Sequence, residues 1–581
     1  MSSNSIEPVL VAVIGSRLEA ITKEIGETML RTSRSPIFSE ARDFVTAVFD
    51  QDCRLVAQTH YIPVLAAATP YAQRAIAKAF EGDINEGDVF ILNDPYGGNN
   101  HAPDISITRP VFLNGELCFW AMAKGHHADV GGGGVAGYNP AAHNAWEEGL
   151  RIPPLKLVDR GRLRSDVWNM ILRNVHLTFL VDGDLQCQIG ATAIGERGLK
   201  ALLAKYGKAT LDAAIEQLLN ASEMEVRTEI GRIPDGVYTA ERAIDHDGIE
   251  KDKLVTVRLQ VTVKGDTITF DYSHSDPQAK GYINSTLPNT VSATHLGLFA
   301  SLSPDIHYND GATRPIVVVA PQGSLLNPNE PAPTTACTLS TAETITETCW
   351  LALAQAIPGQ VQAVWSRWCA PATMGWNPHT GRFFADIHFI SKGGGGATEG
   401  YDGWDHIGTV VCLGGLRSPD PELHELTSPY QLLDYEYLPD SGGPGRWRGG
   451  MGVKYRWKVL ADEIACANFG SGIRPETAPV GIEGGLGTAP SRLRIVHQDG
   501  SEQAVDCNSF YTLRRGDVFE IYSAGGGGFG DPRKRPVEQV LTDVRDGLVS
   551  AVIARDVYGV VIDPLTLVVD EAATTKLRTT A

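Results

Sequence analysis

Glycine sets the first limit on this fold. The chain has 61 glycines and 33 prolines in 581 residues, and the glycines come in runs. Gly131 to Gly134 and Gly525 to Gly528 are uninterrupted, and a third cluster runs from Ser441 to Gly450. Glycine has no Cβ, so it accepts left-handed turns and lets two backbones touch, and it weakens helix and strand interiors. The chain is therefore predicted to consist of many turns and loops between short elements, not of a helical bundle. No run carries the G-x-x-x-x-G-K-[ST] phosphate-loop pattern, and that pattern is absent from the chain, as is a G-x-S-x-G nucleophile turn. The two C-terminal clusters accordingly read as tight packing turns. Gly131–Gly134 stays open between a backbone cradle for an oxyanion and a flexible lid.

A chain of this length exceeds one compact core. The expected class is α+β: a multidomain arrangement of mixed sheets and helices with glycine-rich loops. Four regions are read: 1–160 with an N-terminal helix and a metal-site region, 161–235 mainly helical, 236–360 mixed strand and helix, and 361–581 rich in strands and glycine. Val9, Leu10, Val13, Ile14, Leu18, Ile21, Ile25 and Met29 recur at helical spacing, which predicts a helix over 6–32. Phe44 to Phe49 and Arg54 to Ala57 read as strands, Pro70 to Phe80 as a helix and Asp88 to Leu92 as a strand. Asn114-Gly115 between two apolar runs predicts a hairpin of Ile105–Phe112 and Leu117–Ala123.

Charge and cysteine usage exclude several classes. A formal charge of −19 argues against a broad nucleic-acid surface or a polybasic membrane anchor. The nine cysteines form no C-x-x-C pair, so neither a disulfide framework nor a zinc–thiolate site is expected, and a reducing cytoplasm is. Residues 1–7 lack the basic start of a secretion signal, and no apolar stretch is long enough to predict a membrane-spanning helix.

The chemistry concentrates between Asn93 and Glu148. Asn93-Asp94-Pro95-Tyr96-Gly97-Gly98-Asn99-Asn100-His101-Ala102-Pro103-Asp104 precedes the hairpin, and Gly125-His126-His127-Ala128-Asp129-Val130 follows it. Pro103 prevents His101 and Asp104 from sharing a helix face. An antiparallel hairpin instead returns His126 or His127 to the end of the sheet where His101 and Asp104 stand, and Asp43 offers a further carboxylate at the start of a strand. Two imidazoles and two carboxylates would hold a divalent cation close to charge balance. The plainer alternative is that the histidines are hydrogen-bonded loop residues. Asn93 and Asp94 are candidates for orienting ligands, and Glu147 and Glu148 for a general base.

These motifs, in this order, resemble the hydantoinase B family. The resemblance extends through Glu148-Gly149-Leu150-Arg151-Ile152-Pro153-Pro154, Asn309-Asp310-Gly311-Ala312-Thr313-Arg314-Pro315, the Ser441–Gly450 cluster and Gly525–Pro532. It implies one divalent metal ion (manganese, zinc or iron) at Asp43, His101, Asp104 and His126, with His127, Asp129 or Glu148 as candidate proton carriers. It also implies a hydantoinase A-type partner carrying ATP and magnesium, in an α2β2 heterotetramer, which would account for the missing phosphate loop. The departures are Asn99-Asn100 where the family often has Gly-Thr, and Arg34 where it often has a small or aromatic residue.

The implied activity is that of the B subunit of an ATP-dependent cyclic amidase. The partner would activate a lactam, hydantoin or oxoproline amide, and a metal-bound water would open the ring. Two alternatives stay open at this stage: a subunit of an ATP-dependent ketone carboxylase, whose family members tend to be longer, and a non-catalytic scaffold for the A subunit.

Overall fold

The computed structural model describes residues 6–59 and 61–579. The first five residues, part of the stretch read as lacking a secretion signal, lie outside them. The chain is α+β and forms two compact units, each assembled from separated stretches. One comprises Met1–Val237, Leu259–Ala342 and Gly415–Ser418; the other comprises Tyr238–Arg258, Glu343–Gly414 and Pro419–Ala581. Among the described residues no helix is long and apolar enough to cross a membrane.

The first unit is built on a seven-stranded antiparallel sheet. Its strands are β1 (Phe44–Asp50), β2 (Leu55–Gln58), β3 (Val89–Leu92), β4 (Asp104–Leu113), β5 (Glu116–His126), β6 (Leu155–Asp159) and β7 (Arg162–Leu163). Their order is β2-β1-β5-β4-β3-β6-β7. The predicted hairpin is β4–β5, and Asn114 and Gly115 take φ of 53° and 83°, the left-handed pair that a two-residue turn requires. Both strands run further than expected. Asp104 and His126 are their last paired residues and not loop residues, because the ladder continues until these two face each other.

Both faces of the central strands are covered, so β3 reads as an unbroken apolar run. Val89 and Ile91 pack with Ile105 and Ile107 against Trp168, Ile171, Val181 and Leu185 of the helices Ser165–Arg173 and Thr178–Tyr206. Phe90 and Leu92 pack with Phe49, Trp120 and Met122 against Ala72 and Ile76 of the helix Thr69–Ala79. The period-two alternation thus feeds two separate cores. Helices of 25, 29 and 23 residues (Pro8–Thr32, Thr178–Tyr206 and Lys208–Ile230) exceed the short elements that the glycine content predicts. Much of the glycine is spent elsewhere.

In the second unit two antiparallel sheets share one apolar core. One consists of Arg382–Ile387, Cys369–Asn377, Glu463–Gly470 and Ser509–Arg514. The other consists of Tyr430–Tyr437, Val453–Val459, Val518–Tyr522, Arg492–Val496 and Glu502–Ala504. Cys369, Ile464 and Leu513 from the first sheet meet Tyr455, Trp457 and Phe519 from the second, with Trp457 stacked on Phe519 at 5.4 Å. Strands and glycine do not account for the whole C-terminal region. Val537–Arg545, Ala551–Asp556 and Glu571–Thr579 are helices, and the first two help to build a small core around Val540, Ala554 and Tyr558. Their short apolar stripes carry little signal at nine residues or fewer.

The glycine clusters meet in this unit, backbone against backbone. The Gly526 amide donates to the Gly450 carbonyl at 2.9 Å, the Gly450 amide to Gly395 at 2.8 Å, and the Gly443 amide to Gly526 at 2.8 Å. A Cβ on Gly526 would lie 1.9 Å from the Gly395 oxygen. The clusters are packing turns, as their sequence implied, and no side chain fits between the strands of backbone they join. Gly526→Ala is expected to destabilise the chain by at least about 1–3 kcal/mol through overpacking. Gly190→Ala, at an exposed helical position with no atom near its added Cβ, is expected to stabilise it by about 0.5–1 kcal/mol. Chemical denaturation of the two variants beside the parent chain checks both signs.

Candidate metal centre

The register of three neighbouring strands assembles the site. Asp104 lies opposite His126 in the β4–β5 pair, and Phe44 lies opposite Gly125 in the β1–β5 pair. Asp43, one residue before Phe44, therefore comes level with His126, whose amide donates to the Asp43 carbonyl at 3.0 Å. Arg42, just ahead, takes a left-handed φ of 62° as the chain turns into β1. Asp43, His126 and Asp104 form a row across β1, β5 and β4.

His101 joins this row through a tight turn. The Asp104 amide donates to the His101 carbonyl at 3.2 Å. The Asn99 side-chain amide donates to the carbonyls of Asn93, His101 and Asp104 at 3.0, 3.0 and 2.6 Å. His101 Nε2 then stands 3.1 Å from Asp104 Oδ1 and 3.2 Å from His126 Nδ1, and His126 Nδ1 stands 3.5 Å from Asp104 Oδ1. All three residues are buried.

The hydrogen bonds around this cluster decide its protonation. His101 Nδ1 lies 2.6 Å from the Thr335 carbonyl, which can only accept. The proton therefore sits on Nδ1, and Nε2 turns a lone pair toward Asp104. A lone pair facing a carboxylate is repulsive unless a positive centre lies between them. Neither Asp104 oxygen receives a well-aligned hydrogen bond, and His126 Nε2 has no partner either. Donor atoms that share one ion through bonds of about 2.0–2.2 Å stand at roughly these separations. Two imidazoles and a carboxylate fit a borderline divalent ion.

Electrostatics sharpen the fit. Burial acts to raise the Asp104 carboxyl, and only positive charge beside it, on the imidazoles of His101 and His126 or on an ion that they face, together with Lys124, holds the group well below the usual carboxylate range. Burial pushes the Asp43 carboxyl up to about 6, with His126 opposing and Asp104 reinforcing the shift. Asp43 stands beside the close group of His101, Asp104 and His126 and is coupled to it, without being one of its three closest members. Lys124 shares a β5 face with His126, and its ammonium contacts the Asn100 side-chain oxygen. Burial lowers it to about 8. Sequence reasoning misses Lys124, whose signal is a single charge inside an otherwise apolar strand.

The remaining candidates are engaged elsewhere. His127 points to the opposite face of the sheet from His126, with Nε2 2.9 Å from Gln188 Oε1, and burial lowers it to about 4. The Asp129 carboxylate accepts the amides of Gly131 and Leu177 at 2.8 and 2.6 Å and also binds His176. Glu148 accepts the amides of Thr334 and Thr335 at 2.8 and 2.7 Å, so it reaches His101 only through the Thr335 carbonyl. Glu147 binds the His143 amide at 2.8 Å near the surface. Asn93 ties together the backbones of Ala102, Leu150 and Ile152, and Asp94 pairs with Arg151 at 2.9 Å. Gly131 is a close-approach position: a Cβ there would meet the Asn174 oxygen at 2.0 Å.

An antiparallel sheet that ends in a row of histidines and carboxylates defines an α+β protein with a candidate metal centre. The chain belongs to the hydantoinase B/oxoprolinase family, whose profile matches residues 7–532. It is 37% identical over 578 residues to caprolactamase subunit beta of Pseudomonas jessenii, covering 98% of this chain and 99% of that one. The crystal structure of the ATP-dependent caprolactamase from Pseudomonas jessenii superimposes with a TM-score of 0.92 at 36% identity, over 99% of this chain and 100% of that one. A nucleotide-free acetone carboxylase shares the fold at a TM-score of 0.90 and 22% identity, over 99% of this chain and 82% of that one.

The Glu148 clamp has a measurable consequence. Burial pushes its carboxyl from an ordinary value of about 4.5 up to about 7, against the hydrogen bonds from Thr334 and Thr335 that lower it. Between these two values the folded chain holds a proton that the unfolded chain has released. Stability from this group is therefore lost as pH rises from about 4.5 to about 7, by up to about 1.4 kcal/mol per pH unit. Glu148→Gln is expected to lack this slope. Denaturation of chelator-treated parent and variant between pH 4 and 8 makes the comparison.

Proposed function

We propose that this chain is the metal-containing B subunit of a cytoplasmic, ATP-dependent cyclic amidase that opens a lactam, hydantoin or oxoproline ring. The observation that carries the reading is the convergence of His101, Asp104 and His126, beside Asp43, in a chain that matches caprolactamase subunit beta nearly end to end. These four residues would hold one divalent ion, with manganese, zinc and iron all compatible with the donor set. When bound, such an ion acts as a Lewis acid and lowers the pKa of a coordinated water to roughly 7.

The chain's own residues prepare this chemistry. The Thr335 carbonyl keeps the His101 proton on Nδ1 and leaves Nε2 free. Glu148 holds the Thr334–Thr335 backbone in place, a positioning role and not a proton-carrying one. Asp104 stays ionised between the histidines and Lys124. An amide is resonance-stabilised and a poor electrophile, so ring opening needs prior activation. That step belongs to an A-type partner with ATP and magnesium, in an α2β2 assembly. Its support is the absence of a phosphate loop in this sequence and the subunit designation of the relative.

The chain alone is expected to show no ATP turnover, and the complex with the A-type subunit is expected to consume ATP with each ring opened. His101→Ala should stay folded and lose one equivalent of divalent metal. It should cut ring opening by more than about 100-fold, the upper end of the cost of losing even an outer-sphere partner. Oxygen-18 from labelled water should appear in the product carboxylate. Bicarbonate carbon fixed in a new carbon–carbon bond would replace this reading with that of a ketone carboxylase. Full activity of a metal-free complex would leave the chain a scaffold.

A further inference from the structure

The second unit contains a cluster that the proposed reaction does not use. Asp386 lies near the end of the strand Arg382–Ile387, His388 follows that strand, and His424 sits on the helix Pro421–Thr427. One donor atom from each lies within 4.8 Å of the other two. His388 is fully buried and His424 is 5% exposed. His424 Nδ1 is 3.3 Å from Asp386 Oδ2, and the two imidazoles meet edge to face at 5.3 Å. Around them stand hydroxyls and rings. Thr373 Oγ1 and the Tyr455 hydroxyl lie 3.4 and 3.2 Å from the two nitrogens of His388. Trp457 stacks on His388 at 4.5 Å.

Two features of this cluster ask for a cation. Asp386 is largely enclosed, and among the described residues no lysine or arginine pairs with it; its side-chain partners are His424 and Ser428. A buried carboxylate without a cation is costly. His424 Nε2 is buried and has no hydrogen-bond partner, so an ordinary histidine–carboxylate pair at Nδ1 leaves the ring half satisfied. The group of His246, Asp506 and Cys507 differs. There Nδ1 of His246 accepts the Gly248 amide at 3.1 Å and Nε2 faces Asp506 at 3.1 Å, so the group has no unpartnered histidine nitrogen to match His424 Nε2, and its carboxylate is 36% exposed.

We propose that Asp386, His388 and His424 form a second divalent-metal site, separate from the one at His101 and independent of the reading given to that site. Two imidazoles and one carboxylate select a borderline ion such as zinc. Enclosed by the surrounding rings, the ion has a structural role and ties the helix Pro421–Thr427 to the end of the strand Arg382–Ile387. A water completes the shell.

Elemental analysis separates the two sites. The purified chain is expected to hold two divalent ions, His101→Ala one, His424→Gln one, and the double variant none. One ion in the parent chain and in His101→Ala, with none in His424→Gln, would uphold this site and remove the other. His424→Gln that keeps both ions would overturn the proposal. Because that substitution also disturbs packing against Tyr430, a second measurement leaves the cluster intact. Metal-free His101→Ala is titrated with Co2+, and one equivalent should bind, raise the thermal midpoint and give the visible absorption bands of a four- or five-coordinate site. If this variant binds no Co2+, the site does not exist.

Discussion

The candidate chemistry of the first unit depends on the alignment of Asp104 with His126 across β4 and β5. Near the turn, Leu113 pairs with Glu116 and Phe112 with Leu117. A bulge then skips one residue, so that Val111 pairs with Phe119 and Asp104 with His126. Without that extra residue the ladder would set His126 against Pro103, one residue out of place. A slip of one residue in a sheet sends each side chain to the other face. The bulge therefore decides whether the histidine meets the Asp104 carboxylate at all. The turn at Asn114-Gly115 and the two cores on either side of the sheet hold that register in place.

Around this row the polar groups form a layered arrangement. Asp104 and the histidines carry lone pairs inward, the Thr335 carbonyl fixes the tautomer of His101, and Glu148 fixes Thr335. Each layer satisfies the one inside it, and the innermost is left with unpaired donor atoms. Buried polar atoms are normally satisfied, so two Asp104 oxygens without a hydrogen bond, beside an unpartnered His126 Nε2, mark the centre of this network. The second unit repeats the pattern at a smaller scale around Asp386, His388 and His424.

The same fold supports an ATP-dependent caprolactamase and an acetone carboxylase among solved structures. Fold therefore does not choose between water and an activated carbon acid as the reacting species; the residues of the site do. The glycine-rich core of the second unit sets a different kind of constraint. Backbones in contact at Gly395, Gly450 and Gly526 leave no room for side chains, which explains a composition that chemistry alone does not require.

What the sequence by itself determined is local. The Asn114-Gly115 turn, the apolar stripe of the helix Pro8–Thr32 and the grouping of His101, Asp104 and His126 around one hairpin were legible because each depends on neighbours in the chain. Tertiary structure alone decided the rest. The opposite directions of His126 and His127 follow from the strand continuing three residues past its apolar run, to His126. Glu148 reads as a free acid in the sequence, yet it is committed to amides 186 and 187 residues away. Asp386 and His388 meet His424 only when a strand end and a short helix come together. A backbone amide or carbonyl has no residue identity, so a network that runs through Thr334 and Thr335 leaves no mark in the sequence until the chain is folded.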